Sequence, residues 1–214
     1  SDLSAIMAAL DAGQEPEEMS LLRVLRRPEC PRELIDRLCG CRWVARRRRI
    51  AGLVVRHPAC KHHFAWQVLP FLGWNDLHEV CRDPRCAPAI RAQAERKLAD
   101  RLGSMMLGER INLARMASRG VVRAMLADPE ARCIEALIGN PHFTEDEAIR
   151  LLHANPNPEC VMALLRHPTW GRRREVVRAA VRSPRLPLGQ LLGLAATLGT
   201  AELANLVGSG DLPA

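Results

Sequence analysis

Proline recurs along the chain at the ends of apolar segments, and this pattern constrains the fold more than any other feature. Eight prolines end such segments, and each follows a polar or charged residue. The eight pairs are Arg27-Pro28, His57-Pro58, Asp83-Pro84, Asp128-Pro129, Asn140-Pro141, Asn155-Pro156, His167-Pro168 and Ser183-Pro184. A residue before proline is disfavoured in the helical region, whereas proline suits the first turn of a helix. Each pair therefore predicts the end of one helix.

Several of these pairs are followed, a few residues later, by a second residue that suits a helix start. These second residues are Pro31, Pro88, Thr144, Pro158 and Pro187. The sequence TEDE at residues 144–147 predicts a capping box, in which the Thr hydroxyl and the last Glu carboxylate each accept a hydrogen bond from a backbone N–H. A short turn is thus predicted between consecutive helices.

Between the prolines, apolar residues recur at spacings of three and four, which is the spacing of one face of an α-helix. Aromatic residues make up only 3% of the chain and Tyr is absent, as is typical of helices packed through Leu and Ala rather than of β-sandwiches. The segment AIRAQAERKLADRL, between Pro84 and Pro129, predicts one longer helix. No stretch alternates with a period of two, so we predict an all-α fold with no sheet.

The sequence also indicates repetition on two scales. From Asp128 onward the proline pairs fall 12 to 16 residues apart, so two helices form a unit of about 27 residues, within the range of helical solenoids. A shift of 126 residues places residues 46–48 on residues 172–174 and Pro58 on Pro184. Residues from about 15 to 88 thus correspond to those from about 142 to 214. We predict a single helical-repeat domain over residues 1–214, and a fragment of a longer chain because the second copy stops before its counterpart ends.

Three segments resemble the leucine-rich repeat variant family and its HEAT-like relatives. They are VVRHPAC (54–60), LLRHPTW (164–170) and VVRAAVRSPRLPLGQLLGLA (176–195). Units of that family carry V-R-x-x-V-x-x-[HN]-P, followed shortly by Pro or Thr and a Leu-rich helix. The resemblance implies a right-handed α-solenoid, in which each unit buries its apolar face against its neighbours. It implies no particular partner, because solenoids serve many binding roles.

Eight cysteines raise the question of a metal site, since a leucine-rich repeat variant protein can carry an iron–sulfur cluster. No C-x-x-C pair occurs, and the spacing matches no standard zinc or cluster pattern. In the predicted second copy, Leu186 stands at the position of Cys60, and other cysteines also exchange with apolar residues. We therefore expect buried structural thiols, with no metal and no cofactor.

Motifs for nucleophilic, nucleotide-dependent and zinc-dependent enzymes are absent from the sequence, including G-x-S-x-G, the Walker loop, G-x-G-x-x-G and H-E-x-x-H. We therefore predict no catalytic residue and a protein that is not an enzyme. The longest apolar stretch, residues 191–208, contains Glu202 and Asn205 and does not suit a lipid-facing span. We expect a cytoplasmic protein without a membrane partner.

Two arginine clusters are the candidate sites for an anion or a partner. They comprise Arg46, Arg47, Arg48 and Arg56 in the first copy, and Arg172, Arg173, Arg174, Arg178 and Arg182 in the second. The last three lie four residues apart, which predicts a charged stripe opposite the apolar face of a helix. Like charges at this spacing cost a few tenths of a kcal/mol, so the stripe needs solvation, carboxylates on an adjacent helix, or an anionic ligand.

The net charge of +7 permits an anionic partner but does not require one. The sequence as a whole therefore predicts a non-enzymatic helical-repeat scaffold that binds a protein or peptide along its concave surface. The alternative is sequence-independent binding of nucleic acid, in which the two arginine clusters contact phosphates.

Overall fold

The computed structural model of the chain describes residues 2–155 and 157–183, together with residues 186, 189, 192, 193 and 204. Over these residues the chain forms thirteen α-helices and four short 3₁₀ turns, with no strand. The predicted all-α class is therefore confirmed. The chain divides into two compact units, Ser1–Arg101 and Leu102–Ala214. In the part of the chain that is described, no helix is long and apolar enough to cross a membrane.

The first unit contains seven of these helices. They are α1 (Asp2–Asp11), α2 (Glu18–Leu25), α3 (Arg32–Gly40), α4 (Arg48–Arg56), α5 (His62–Val68), α6 (Trp74–Arg82) and α7 (Pro88–Arg101). Two 3₁₀ turns, Val44–Arg46 and Leu69–Phe71, precede α4 and follow α5. The most extensive contact is between the consecutive helices α6 and α7, and α1 also packs against α2. Other helices pack against the next helix but one: α2 against α4, α4 against α6 and α5 against α7. Apolar faces are buried in this packing, as at Ile50 and Leu77.

The second unit contains the other six described helices. They are α8 (Leu107–Met116), α9 (Arg119–Met125), α10 (Ala131–Ile138), α11 (Glu145–Ala154), α12 (Pro158–Arg166) and α13 (Arg174–Val181). Its 3₁₀ turns are Leu102–Ser104 and Trp170–Arg172. Within this unit α8 packs against α10, α10 against α12 and α11 against α13. The same pattern of packing on the next helix but one is thus present in both units.

The helices end where the prolines predict. The residue before each of the eight prolines lies one to three residues beyond the last residue of a helix. Pro88 and Pro158 are the first residues of α7 and α12, and Pro31 and Thr144 directly precede α3 and α11. Pro187 lies outside the described residues. The longer helix predicted between Pro84 and Pro129 is α7, with 14 residues. These predictions are confirmed because proline acts locally, through its own ring and its missing N–H.

Buried side chains before the prolines connect one turn to another. The Nδ2 of Asn155 donates to the carbonyls of Leu126 and Asp128, both at 2.8 Å. Its Oδ1 accepts from the N–H of Asn157 at 3.0 Å. Asn140 makes the same arrangement, with two carbonyls at the end of α8 and the N–H two residues on. Each of these asparagines therefore satisfies groups of two turns at once.

His57 and Ser183 play a similar part with other side-chain chemistry. The Nε2 of His57 lies 3.2 Å from the carbonyl oxygen of Cys30, and the hydroxyl of Ser183 donates to the carbonyl of Leu152 at 3.4 Å. The hydrogen bonds from these two residues and from Asn140 and Asn155 to earlier carbonyls join positions 23 to 31 residues apart. That separation brackets the two-helix unit of about 27 residues that the proline spacing predicts.

The prediction of a capping box at residues 144–147 is wrong, because its hydrogen bonds do not form. Thr144 does precede α11, but its side chain makes no hydrogen bond to a backbone N–H. Its hydroxyl donates instead to the carboxylate of Glu147. Glu147 is fully buried and also accepts from the Nε of Arg123 at 3.1 Å. The carboxylate is therefore occupied by a cation from α9, which the local sequence does not show.

The two predicted copies contain matching elements. Both bounds of α12 lie 126 residues after those of α3, and both bounds of the turn Trp170–Arg172 lie 126 residues after those of Val44–Arg46. The first residue of α13 follows the first residue of α4 at the same distance. These correspondences support the duplication, which stays a prediction. Most of the second copy after Ser183 lies outside the described residues.

His78, on α6, is a buried side chain for which we expect a pH effect. It is 3% exposed, and neither ring nitrogen has a hydrogen-bond partner among the described residues. Burial lowers the pKa of this ring from its ordinary value, and the charge of Arg82 lowers it further against the opposing effect of Glu79. Above its ordinary pKa the ring is neutral in both the folded and the unfolded protein. As the pH falls below that pKa, the unfolded chain binds the proton more readily than the folded one, so the folded state loses stability.

We expect the free energy of unfolding to decrease as the pH drops below about 6.5, by up to about 1.4 kcal/mol per pH unit from His78. His78→Leu should remove this contribution and add about 1 kcal/mol at neutral pH, because no unsatisfied ring is then buried. Urea unfolding between about pH 5 and pH 8 measures both effects. His142→Leu, at an exposed position, provides the control, because it removes an imidazole without removing a buried ring. An unaltered pH dependence in His78→Leu would contradict this assignment.

Candidate functional site

A groove in the first unit brings together two of the predicted site arginines. Its volume is about 450 Å³, and it is lined by Arg42, Ala45, Arg46, Arg48, Val68, Phe71 and Leu72. We call it the arginine–phenylalanine groove. One wall is the segment between α3 and α4, and the other is the end of α5 with the turn Leu69–Phe71. Residues about 25 positions apart in the sequence thus form one surface.

The first wall is fixed by a single buried side chain. Val44 is completely buried at the start of the turn Val44–Arg46. The turn is closed by the N–H of Arg46, which donates to the carbonyl of Trp43 at 3.0 Å. With Val44 directed into the core, its neighbours Arg42 and Arg46 are left exposed. The turn therefore presents two guanidinium groups to the groove.

The second wall presents an aromatic ring. Leu69 and Leu72 are buried, while Phe71 between them is 75% exposed. Val68 is also completely buried and Leu72 nearly so, which leaves Phe71 as the large exposed apolar side chain of the groove. An exposed aromatic ring is typical of binding surfaces, where aromatic residues supply much of the affinity.

Arg101, at the end of α7, holds the turn that carries Phe71. Its guanidinium donates one hydrogen bond to the carbonyl of Leu72 and another to the carbonyl of Pro70. Charge-assisted hydrogen bonds of this kind are stronger than those between neutral groups. Arg101 therefore fixes the backbone carbonyls of the residues on either side of Phe71.

The three arginines that line the groove differ in whether a carboxylate pairs with them. Arg48 donates from Nε to Oδ2 of Asp76, on α6, at 2.9 Å. The same carboxylate accepts from the N–H of Gly73 at 3.3 Å. Arg42 and Arg46 make no hydrogen bond or ion pair with any residue that the structure describes. Within the described part of the chain, the groove thus presents two cations without an ion-pair partner beside the exposed ring of Phe71.

The other arginines of the first cluster lie outside the groove and are paired. Arg47 lies 3.1 Å from Glu15, and Arg56 lies 3.0 Å from Glu79 of α6. Arg48 and Arg56 both lie on α4, and their partners Asp76 and Glu79 both lie on α6. Carboxylates of a neighbouring helix therefore compensate the like charges along α4. Pairing within the protein thus accounts for Arg47, Arg48 and Arg56, whereas Arg46 has no such partner among the described residues.

The second cluster lies on and around α13. Arg172, Arg173, Arg174 and Arg182 are exposed, and Arg178 is half-buried. The opposite face of the helix is buried, at Val176, Val177, Ala180 and Val181, so the predicted apolar face is confirmed. Arg178 donates to Glu175 of the same helix at 2.9 Å. The region that corresponds to Phe71 in the second copy lies outside the described residues.

Sequence reasoning did not identify Arg42 and Phe71. Phe71 is one apolar residue in the run LPFL, and nothing in its spacing distinguishes an exposed ring from a core one. Arg42 lies just before the arginine run, and its proximity to Arg46 in the sequence is the one signal that could have identified it as a site residue. The groove depends on the packing of the segment after α3 against the end of α5, which no local motif encodes.

The cysteines are buried, as the sequence predicts. All eight are free thiols, and only Cys41 is more than slightly exposed. Burial raises the pKa of Cys81 and of Cys133 to about 12, and that of Cys160 to about 11. Such thiols stay protonated at neutral pH and behave as small apolar side chains. Among the residues described, no group of three or more potential metal ligands comes together.

Comparisons of the chain with protein-family models, curated proteins and solved structures found no match. The resemblance to leucine-rich repeat variant and HEAT-like units therefore rests on the repeat motif alone. It stays a hypothesis about the fold, and the properties of the groove are the basis for a hypothesis about function.

Proposed function

We propose that the chain is a non-enzymatic helical-repeat scaffold whose arginine–phenylalanine groove binds an acidic segment of a protein or peptide. The observation that carries this proposal is the combination of Arg42 and Arg46, which have no ion-pair partner among the described residues, with the exposed ring of Phe71. Carboxylates of the partner would accept bidentate hydrogen bonds from Arg42 and Arg46. An apolar side chain next to them would cover Phe71 and displace water from its ring.

We also propose that the helices form a right-handed α-solenoid of HEAT-like repeats. Two observations support a repeated arrangement within each unit. In each unit three pairs of helices pack at the spacing of the next helix but one, and buried side chains before the prolines bond to positions 23 to 31 residues earlier. In solenoids each repeat is stabilised by its neighbours, and such folds bind partners along extended surfaces.

Nucleic acid is the second candidate partner, and one observation favours it. A single-stranded nucleic acid could stack a base on the exposed ring of Phe71 while Arg42 and Arg46 contact its phosphates. The affinity would then fall steeply with salt concentration, because phosphate contacts release counterions. We rank this function second because the groove offers only Arg42 and Arg46 for phosphate contacts, since Arg48 is paired with Asp76, whereas nucleic-acid affinity depends on many such contacts.

A peptide-display selection against the whole chain tests the first proposal. We expect it to enrich peptides in which Asp or Glu adjoins a large apolar residue. Phe71→Ser should weaken binding of an enriched peptide by about tenfold or more, since hot-spot aromatic residues contribute 2 kcal/mol or more. Trp66→Ser is the matched control, because Trp66 is a 52% exposed aromatic residue on α5 that does not line the groove.

The two variants separate the groove from general surface effects. Weaker binding in Phe71→Ser with unchanged binding in Trp66→Ser supports the proposal. Equal effects of the two changes, or enrichment of peptides without acidic residues, would contradict it. The selected peptide then serves as a defined probe for the arginines of the groove.

A further inference from the structure

The ion pair of Arg48 and Asp76 involves one of the three arginines of the arginine–phenylalanine groove. Arg48 lines the groove, whereas Asp76, on α6, does not. The Nε of Arg48 donates to Oδ2 of Asp76 at 2.9 Å, and the same oxygen accepts from the N–H of Gly73 at 3.3 Å. A carboxylate outside the groove therefore holds a cation that lines it.

Gly73 provides the space that this pair occupies. A Cβ added at Gly73 would overlap the Nη2 of Arg48 and would lie 2.6 Å from its Cζ. The guanidinium thus lies directly over the backbone of Gly73. The φ of Gly73 is −72°, which alanine also adopts, so the glycine contributes space here and not an unusual backbone conformation. With Gly73 beneath it and Asp76 beside it, the guanidinium of Arg48 has a defined position.

This pair limits how many acidic groups of a ligand the groove can bind favourably. Arg42 and Arg46 pair with no described residue, so a ligand carboxylate binds either of them without displacing a protein group. A ligand carboxylate that binds Arg48 must displace the carboxylate of Asp76. That exchange gains little affinity, because the side chains of Arg48 and Asp76 are 59% and 40% exposed and exposed ion pairs are weak. The groove thus matches two acidic groups and gains little from a third.

We propose that Asp76 is a specificity-determining residue of the groove, which limits the preferred ligand to a segment with two acidic groups. This inference rests on the proposed function of the groove. Asp76→Asn should release Arg48 as a third cation, and a third acidic group of the ligand then binds it without competition. The asparagine keeps an oxygen that can accept from the N–H of Gly73, so the hydrogen bond at the start of α6 is retained.

Fluorescence anisotropy titrations with labelled peptides test this assignment. The probes are a peptide from the display selection and two derivatives with one additional Glu, placed before or after its acidic residues. The quantity compared between proteins is the gain in affinity that the additional Glu gives, taken from the tighter-binding derivative. This gain should be about threefold larger in Asp76→Asn than in the wild type, as expected for one more exposed ion pair. Adding Arg48→Ser to Asp76→Asn should return the gain to its wild-type value.

Glu79→Gln is the matched control, because it removes the same charge from the same helix. Glu79 pairs with Arg56 at 3.0 Å, but Arg56 does not line the groove. Arg48 and Arg56 are the first and last residues of α4, about 12 Å apart along the helix axis. The gain in Glu79→Gln should therefore stay within about 1.5-fold of the wild-type gain, since charges at that distance are screened.

Gly73→Ala tests the same contact without changing any charge. The new Cβ should force the guanidinium of Arg48 away from Asp76, so the gain from the additional Glu should increase as it does in Asp76→Asn. A wild-type gain in Gly73→Ala would overturn the proposal, because the position of Arg48 would then not limit the ligand.

Three further outcomes would also overturn it. They are a wild-type gain in Asp76→Asn, equal gains in Asp76→Asn and Glu79→Gln, and an increased gain that persists when Arg48→Ser is added. Each of them leaves the proposed function intact as long as binding of the selected peptide depends on Phe71. Binding that does not weaken in Phe71→Ser would contradict the proposed function, and this inference with it.

Discussion

Replacing Asn155 with alanine is expected to lower the free energy of unfolding by about 2–4 kcal/mol. The fully buried amide of Asn155 satisfies the carbonyls of Leu126 and Asp128 and the N–H of Asn157. Alanine cannot replace any of these hydrogen bonds, and buried polar groups without partners destabilise a fold. Urea denaturation followed by circular dichroism measures the change.

Asn157→Ala provides the comparison for this variant. Asn157 is half-buried, donates to the carbonyl of Pro129 at 2.7 Å, and accepts from the N–H of Glu159 at 2.9 Å. Its loss removes the cap of α12, which is worth about 1 kcal/mol. A cost for Asn155→Ala no larger than that for Asn157→Ala would show that the buried amide does not connect the turns as described.

Replacing Arg123 with methionine is expected to lower the free energy of unfolding by about 2–3 kcal/mol, because it leaves a buried carboxylate without its closest cation. Glu147 is fully buried, and the Nε of Arg123 lies 3.1 Å from its Oε1. Arg119 is farther away, at 3.9 Å, and compensates only in part. Methionine keeps most of the apolar stem of the arginine, so the change mainly removes the charge.

The exposed pair of Arg150 and Asp146 provides the control for Arg123. These side chains lie 3.0 Å apart and are both more than half exposed, so Arg150→Met should cost about 0.5 kcal/mol or less. Adding Glu147→Gln to Arg123→Met should recover about 1 kcal/mol, because no buried charge is then left without a partner. Equal costs for Arg123→Met and Arg150→Met would contradict the assigned role of Glu147.

The helix ends were predictable from the sequence because their causes are local. The ring of a proline restricts the residue before it wherever the pair occurs, and the structure places a helix end before every one of the eight pairs. Apolar faces were predictable for a related reason, since the period of a helix decides which residues share a face. Val176 and Val177 are buried on α13 for this reason.

The partners of charged residues were not predictable, because they depend on which helices pack together. Arg48 reaches Asp76, which is 28 residues away, and the sequence left internal pairing and ligand binding open for such arginines. The capping box failed for the same reason: a cation from α9 takes the carboxylate of Glu147 that the local motif assigns to a backbone N–H. Packing between helices also exposes Phe71 beside Arg46, so the groove is a tertiary feature.

The central proposal is that the arginine–phenylalanine groove binds an acidic segment, and a fluorescence anisotropy titration tests it most directly. The probes are a labelled peptide from the display selection and a labelled single-stranded oligonucleotide. The proteins are the wild type, the double variant Arg42→Ser/Arg46→Ser, and the control Arg49→Ser, which removes one charge of the same cluster. Arg49 is exposed and adjoins the same cluster, but it does not line the groove.

We predict that the double variant raises the dissociation constant of the peptide by about tenfold or more, as expected for the loss of charge-assisted hydrogen bonds. Arg49→Ser should change it by no more than about twofold, because a charge outside the contact acts only through screened electrostatics. Equal weakening in the double variant and in Arg49→Ser would contradict the proposal, as would unchanged peptide binding in both. So would tighter, strongly salt-dependent binding of the oligonucleotide.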